Sequence, residues 1–401
     1  MTDPTFDGST IDLAAMAARV ELPDERARTS AVERQLQLTK PAGALGRLEE
    51  LSIWLCGVQG QCPPRRFERP RLVIFAGDHG IANAAGTSAY PSEVTAQMVL
   101  NFLSGGAAAN VLADACGVGV RVIDMSVDVD WSELPAAVPA DLTRFKIRRS
   151  SGAIDREDAL SRAEAANAFA AGVTIADEEI DSGADLLIAG DMGIGNTTPA
   201  ATLVALACHR NAAEVVGRGT GIDDLTWMRK CAAVRDGIAR GRLHRGDPLA
   251  ILAAVGGADF AAVTGFLLQA AVRGVPVILD GLISGAAALV ANSIAYRARG
   301  WWLAGHLSTE PAHAMVLDKL DLAPVVDYGL RLGEGTGALV ALPVLNAASA
   351  TLRDMATFDA AGVSGPSRAG DHEDLPDVPG PPTTDGESAS QAASAVEDSG
   401  S

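Results

Sequence analysis

Short, almost wholly apolar runs alternate along this chain with longer stretches in which apolar positions recur every three or four residues. The short runs are 71–76, 119–124, 184–190, 275–280 and 301–305. Each is too brief for a stable helix and apolar on successive positions, the pattern of a strand buried on both faces. Helical periodicity marks 27–38, 45–55, 92–114 (broken at Ser104-Gly105-Gly106), 161–181, 199–209, 226–240, 248–255, 258–272, 281–298, 309–320 and 336–355, with one short helix expected in 10–20. Strands separated by helices of this length predict a parallel sheet covered by helices on both faces, an α/β fold. Ser308-Thr309-Glu310-Pro311 reads as a helix start, with Glu310 as a capping residue. The pattern leaves strand order open.

Several predicted strands end in Gly-Asp or Asp-Gly: Gly77-Asp78, Gly190-Asp191 and Asp280-Gly281. Ligands of open α/β sheets bind beyond the carboxyl ends of the strands, so these polar loops point at one edge.

Composition narrows the class. The chain has 401 residues, 48% hydrophobic but only 4% aromatic, which favours close helix–sheet packing over an aromatic-lined groove. Its formal net charge is −18 and no Lys/Arg cluster breaks the acidity, so a nucleic-acid partner is not expected. The five cysteines, Cys56, Cys62, Cys116, Cys208 and Cys231, are scattered, as expected of reduced packing thiols. No basic-then-apolar leader opens the sequence, and Arg273, Gly274, Pro276 and Asp280 interrupt its most apolar stretch. A soluble, cytoplasmic protein without a membrane partner is expected. Residues 1–26 are weakly patterned. Residues 359–401 are acidic, rich in Pro, Gly and Ser and poor in large apolar side chains, so that segment is expected to be disordered.

Candidate chemistry lies in the glycine-rich loops. Arg331-Leu332-Gly333-Glu334-Gly335-Thr336-Gly337 sets one carboxylate among three glycines just before a helix. Glu334 there either meets a ligand or complements the helix dipole, and both readings stand. Gly190-Asp191-Met192-Gly193-Ile194-Gly195-Asn196-Thr197-Thr198-Pro199 links a strand to a helix through small polar residues. It has neither the lysine of a nucleoside-triphosphate loop nor the third glycine of a dinucleotide fingerprint, and suits a monophosphate. Gly217-Arg218-Gly219-Thr220-Gly221 adds an arginine that can pair with an anion, and Val255-Gly256-Gly257 is a third glycine junction. The histidines have no metalloprotease spacing, and no Gly-x-Ser-x-Gly elbow is present.

Taken in order, these motifs resemble a known family. Lys40-Pro41-Ala42-Gly43-Ala44-Leu45-Gly46-Arg47-Leu48-Glu49, Gly77-Asp78-His79-Gly80, Tyr90-Pro91-Ser92-Glu93, the 191–199 loop, Val255-Gly256-Gly257, Leu279-Asp280-Gly281 and the 331–337 loop are similar to those of the nicotinate-nucleotide:dimethylbenzimidazole phosphoribosyltransferases of cobalamin lower-ligand assembly. The resemblance spans about 27–358. It implies a Rossmann-like sheet domain at 71–308, a smaller helical domain from 27–70 and 309–358, and a homodimer. It also implies transfer of the phosphoribosyl group of nicotinate mononucleotide to 5,6-dimethylbenzimidazole, with no metal or organic cofactor and with Glu334 as general base. By position in the matching motifs, Asp191, Met192, Gly193, Gly195, Asn196, Thr197, Thr198, Gly217, Arg218, Gly219, Gly256, Gly257 and Gly333 are substrate-binding candidates. Tyr90, Met98, Met192 and Leu332 are candidates for the walls of the base slot. Some relatives carry glutamate at Asp191 and serine at Tyr90, so another acceptor base, or a silent nucleotide-binding protein of the same fold, stays open.

Overall fold

Among the described residues six strands form one parallel sheet, ordered β2-β1-β3-β4-β5-β6. The computed structural model describes residues 11–133, 137–219 and 221–365. Helices α1 (Glu25–Gln37) and α2 (Arg47–Gln59) precede β1 (Pro70–Gly77). Helices α3 (Glu93–Leu103) and α4 (Ala108–Cys116) lead into β2 (Gly119–Ser126), and α5 (Arg162–Asp181) into β3 (Leu186–Met192). The longer helices α6 (Thr197–Cys208), α7 (Asp224–Gly241), α8 (Pro248–Val255) and α9 (Ala258–Val272) follow before β4 (Val277–Leu279). Helix α10 (Leu282–Ile294) precedes β5 (Trp302–His306), α11 (Pro311–Leu320) precedes β6 (Pro324–Val326), and α12 (Thr336–Asp354) closes the fold.

The apolar strands are buried on both faces because alternate side chains enter two different cores. Val73, Phe75, Leu187, Ala189, Val277 and Leu279 join α5, α6, α9 and α10 on one face. Their neighbours Leu72, Ile74, Leu186, Ile188 and Ile278 join α3, α4 and α12 on the other. This is the two-residue period of a strand read out as two cores.

The expected strands and the main expected helices are present. Strand β6 lies outside the sequence expectations. It is three residues long, starts at a proline and pairs with β5 as the sheet's edge, so it carries too little periodicity to be seen. Although β6 falls within 309–358, it belongs to the main sheet. Helix α12 joins two cores: Leu339, Leu342 and Leu345 pack on the sheet, and Leu352 packs with Ala27, Ala31, Leu38 and Cys56 of the N-terminal helices. Pro343 inside α12 cannot donate to the Leu339 carbonyl, and the Cys116 thiol donates to it instead, at 3.6 Å. All five cysteines are free.

The helical stretch Glu93–Cys116 is apolar and long enough to cross a membrane by those two measures alone. It is divided at 104–107 into α3 and α4, whose Val99, Phe102, Ala109 and Ala113 lie in the sheet core. Of the N-terminal 26 residues, 1–10 lie outside the described residues, and Leu13–Ala18 is a short helix followed by fully buried Val20. The expectation for 359–401 falls mostly on 366–401, outside the described residues.

The chain passes from β1 out to β2, then returns past β1 to β3. The order therefore reverses between β1 and β3, where Asp78-His79 and Asp191 stand at the carboxyl ends. Such a switch point opens a crevice for ligands.

Helices α5 and α9 cross where each presents a glycine. A Cβ on Gly172 would lie 1.8 Å from the Ala262 carbonyl oxygen, and one on Gly265 would lie 2.2 Å from that of Phe169. Both obstacles are backbone, so neither can swing aside. Replacing Gly172 by valine is expected to destabilise the protein by about 3 kcal/mol or more through overpacking. Thermal unfolding checks this, and an unchanged melting temperature would contradict the packing described.

Candidate active site

The site is assembled around Asp280, the residue after β4, which is 1% exposed. Its Oδ1 accepts hydrogen bonds from the N–H groups of Gly337 at 2.7 Å and Ala338 at 3.2 Å, and its Oδ2 accepts from Gly335 at 3.0 Å. A helix start leaves these donors unpaired, and a carboxylate also complements the positive end of the dipole. Asp280 thus fastens the first turn of α12 to the carboxyl edge of the sheet. His306, at the end of β5, lies behind it, with Nε2 3.7 Å from Oδ1.

That clamp fixes the loop carrying Glu334. Gly333, Glu334 and Gly335 have φ of 86°, 64° and 85°, three left-handed residues in succession. For the two glycines this is free, but for Glu334 it costs about 1–2 kcal/mol. The loop also runs over Gly190 of β3, where a Cβ would stand 2.8 Å from the Glu334 carbonyl carbon. The sequence therefore needs glycine at 333, 335 and 190 to place one strained glutamate.

The Glu334 carboxyl is buried, and among the described residues its Oε2 has no hydrogen-bond partner. The N–H of Ala109, in the first turn of α4, lies near enough to favour the charged carboxylate. The dipole that meets this side chain is that of α4, and Asp280 rather than Glu334 caps α12. Burial pushes the Glu334 pKa up to about 7, with the nearby Asp280 charge adding and the Ala109 N–H opposing.

Asp191, at the end of β3, belongs to the same acidic group. Its Oδ2 accepts from Asn196 Nδ2 at 2.6 Å, and a Cβ on Gly333 would lie 3.7 Å from its Oδ1. Burial, then the charges of Asp280 and Asp259, raise its pKa well above the usual carboxylate range, against the Asn196 bond. Asp78 is likewise raised, to about 6, chiefly by burial. Its Oδ1 accepts from Thr95 Oγ1, whose oxygen in turn accepts the N–H of Ile194 at 3.0 Å, so β1 and α3 together hold the 193–198 loop. Gly193 lies directly on the Gly77 carbonyl, Gly195 has φ 92°, and Thr198 is fully buried.

The Gly217–Gly219 loop borders a cavity of about 540 Å³, with Thr309, Glu310, Arg331 and Trp227 among its walls. Arg331 donates to the Gly219 carbonyl and so joins this cavity to the Glu334 loop. Arg218 is engaged within its own turn, with Asp224 and the Ile222 carbonyl. The cation at the heart of this region is Lys230, which sequence reasoning missed. It is 1% exposed, and its Nζ donates to Thr197 Oγ1 at 2.8 Å. A Cβ on Gly219 would be 3.4 Å from that ammonium. Among the described residues no carboxylate lies within ion-pair distance of it, and burial lowers its pKa against the more distant Glu310 charge. A signal was available: Lys230 sits in register with the buried stripe Ala233, Val234, Gly237, Ile238 and Gly241 of α7.

Other candidates are placed differently. Tyr90 and Leu332 are exposed, whereas Met98 and Met192 are half-buried against the α3–α4–α12 core. Gly256 and Gly257 are buried beneath the site. Gly257 packs on His79 and Asp259, which share a 2.9 Å hydrogen bond. Lys40 pairs with Glu49 at 2.7 Å, and Arg47 reaches Glu50 and the Ala323 carbonyl, so both brace the turn before α2. Among the described residues no group of three or more His, Cys, Asp or Glu is arranged to hold a metal ion.

Comparison with known proteins places this geometry. Residues 20–363 match a family model described as phosphoribosyltransferase. The nicotinate-nucleotide–dimethylbenzimidazole phosphoribosyltransferase of Mycobacterium avium (strain 104) is 57% identical over 352 residues, 87% of this chain and 98% of that protein. The enzyme of the same name from Mycobacterium tuberculosis (strain ATCC 25618 / H37Rv) is 56% identical over 347 residues, covering 86% and 94%. The crystal structure of CobT from Thermus thermophilus is 45% identical and superposes with a TM-score of 0.79 over 84% of this chain and 99% of that one. With a match that spans the whole sheet and every loop of the site, the chain belongs to the nicotinate-nucleotide–dimethylbenzimidazole phosphoribosyltransferase family.

Proposed function

We propose that this enzyme transfers the phosphoribosyl group of nicotinate mononucleotide to 5,6-dimethylbenzimidazole, giving α-ribazole 5′-phosphate and nicotinate, in assembly of the cobalamin nucleotide loop. The observation that carries this reading is Glu334: a buried carboxyl with an unpartnered oxygen and a pKa near 7, joined through Arg331 to a cavity of nucleotide size. One benzimidazole nitrogen attacks the anomeric carbon. The bond to nicotinate breaks, and its electron pair returns to the pyridine nitrogen. The proton on the other imidazole nitrogen passes to Glu334, whose raised pKa makes it a competent base at neutral pH. The Asp280 carboxylate at the same edge favours the positive charge that develops on the sugar as the bond to nicotinate loosens. Lys230, with Thr197 and the Gly217–Gly219 backbone, is the proposed anchor for the phosphate. Met98 and Met192 are proposed to line the base slot, with Tyr90 and Leu332 closing over it.

We also infer a cytoplasmic homodimer. Val111 of α4 and Leu103 of α3 are exposed on an otherwise apolar helix pair, which supports that face as a contact between copies.

Purified protein incubated with nicotinate mononucleotide and a panel of bases is expected to release nicotinate with dimethylbenzimidazole. Release with adenine alone would replace this acceptor, and no release with any base would sink the transferase reading. Glu334→Gln is expected to lower kcat by about 100-fold or more, the usual scale for a lost general base, while nucleotide binding persists. Turnover at the wild-type rate would remove Glu334 from the chemistry.

The pH dependence has a definite sign. In the wild type, kcat/KM should rise with pH below about 7 and level off above it, as Glu334 loses its proton. The folded pKa exceeds the ordinary 4.5, so the stability this group contributes is present below that value and is lost as pH rises through 7. Melting temperatures of Glu334→Gln relative to wild type should therefore increase between pH 5 and pH 8; a constant difference would contradict the raised pKa. Lys230→Ala should raise KM for the mononucleotide at least about tenfold, as loss of a charge-assisted hydrogen bond does, and an unchanged KM would move the phosphate elsewhere.

A further inference from the structure

Glu310 has a role that its helix-start sequence conceals. It occupies the N-cap position of α11, yet its side chain makes no capping bond. The carboxylate turns the other way. Its Oε1 accepts the Gly219 N–H at 2.9 Å, and its Oε2 is buried without a hydrogen-bond partner among the described residues. The residue is 7% exposed and forms part of the wall of the 540 Å³ cavity. Gly217 makes room for it, since a Cβ there would stand 2.0 Å from Oε2. A backbone donor and a missing side chain on the facing loop thus aim one carboxylate at the cavity.

A buried carboxylate oxygen left unpaired is costly, and such groups are retained where a ligand completes them. Lys230, on the same loop's inner side, likewise lacks a contacting anion among the described residues. The two do not satisfy each other, because they form no ion pair within 4.0 Å. The missing ligand must therefore bring an anion to Lys230 and hydroxyl donors to Glu310. A sugar phosphate does both, and adjacent ribose hydroxyls suit a carboxylate, as they do in dinucleotide sites.

We propose that Glu310 accepts hydrogen bonds from the ribose hydroxyls of the mononucleotide and makes this site select ribose over deoxyribose. This rests on the phosphoribosyl reading given above. A deoxy sugar leaves Oε2 buried and unpaired, and a site built to bond a hydroxyl rejects an analogue lacking it. The role is one of binding and positioning. Proton transfer remains with Glu334.

The test uses nicotinate mononucleotide and its 2′-deoxy and 3′-deoxy counterparts. Binding to wild type, Glu310→Ala and Glu310→Gln is followed by calorimetry without any acceptor base. Wild type is expected to bind the ribonucleotide about tenfold or more tightly than at least one deoxy form. In Glu310→Ala that preference should collapse, because only the ribonucleotide loses affinity. The isosteric Glu310→Gln, which keeps one acceptor oxygen, should retain part of it and serves if the alanine variant does not fold. Equal loss of affinity for all three nucleotides, or an undiminished preference in both variants, would overturn the proposal, as would a wild type that does not discriminate. The phosphoribosyl-transfer reading fails separately: ribose selection that depends on Glu310, without nicotinate release for any base, would refute the transfer and leave the sugar site standing.

Discussion

One carboxylate holds the catalytic end of this molecule together. Asp280 leaves the sheet at β4 and takes three N–H groups from the start of α12. Without that clamp the first turn of a buried helix would keep unpaired donors against the sheet, and the glycine-rich loop before it would have no fixed end. With it, Glu334 is pinned between β3, α4 and α12 in a left-handed conformation it would otherwise avoid. The energy spent on strain and on burying an unpaired carboxyl has a functional return, because both are conditions for a glutamate that holds its proton near neutral pH.

The site is electrically divided. Asp78, Asp191, Asp259, Asp280 and Glu334 crowd the carboxyl edge of the sheet; burial raises the pKa values of Asp78, Asp191 and Glu334, and the charges of neighbouring acids in the group add to the rise at Asp191 and Glu334. Beyond the Arg331 tether the cavity loop has Lys230 behind it. In the proposed reaction, a mononucleotide with its phosphate toward the lysine has its glycosidic nitrogen toward the acids and its anomeric carbon on the side of Glu334.

Much of this was legible in the sequence. The two-faced apolar runs pointed to a parallel sheet, and the glycine-rich loops lie together at its carboxyl edge and beside the cavity. Three things were hidden. Strand β6 is too short and begins with proline, so periodicity could not reveal it. Lys230 has no local motif, and only its register with an apolar stripe betrays that it is buried. Glu310 satisfies a helix-start pattern while its side chain serves a loop 91 residues away, a long-range contact that local spacing cannot encode. The role of Glu334 in its own helix was misleading for the same reason, since the dipole it meets belongs to α4, more than 200 residues earlier in the chain.

The proposed chemistry depends on a fold that holds Glu334 protonated until near-neutral pH. Infrared difference spectra of wild type against Glu334→Gln, recorded across pH 4 to 9, isolate the carboxyl stretch of that residue. A band that disappears with a midpoint near 7 is the predicted result. A midpoint at the ordinary glutamate value near 4.5 would contradict it.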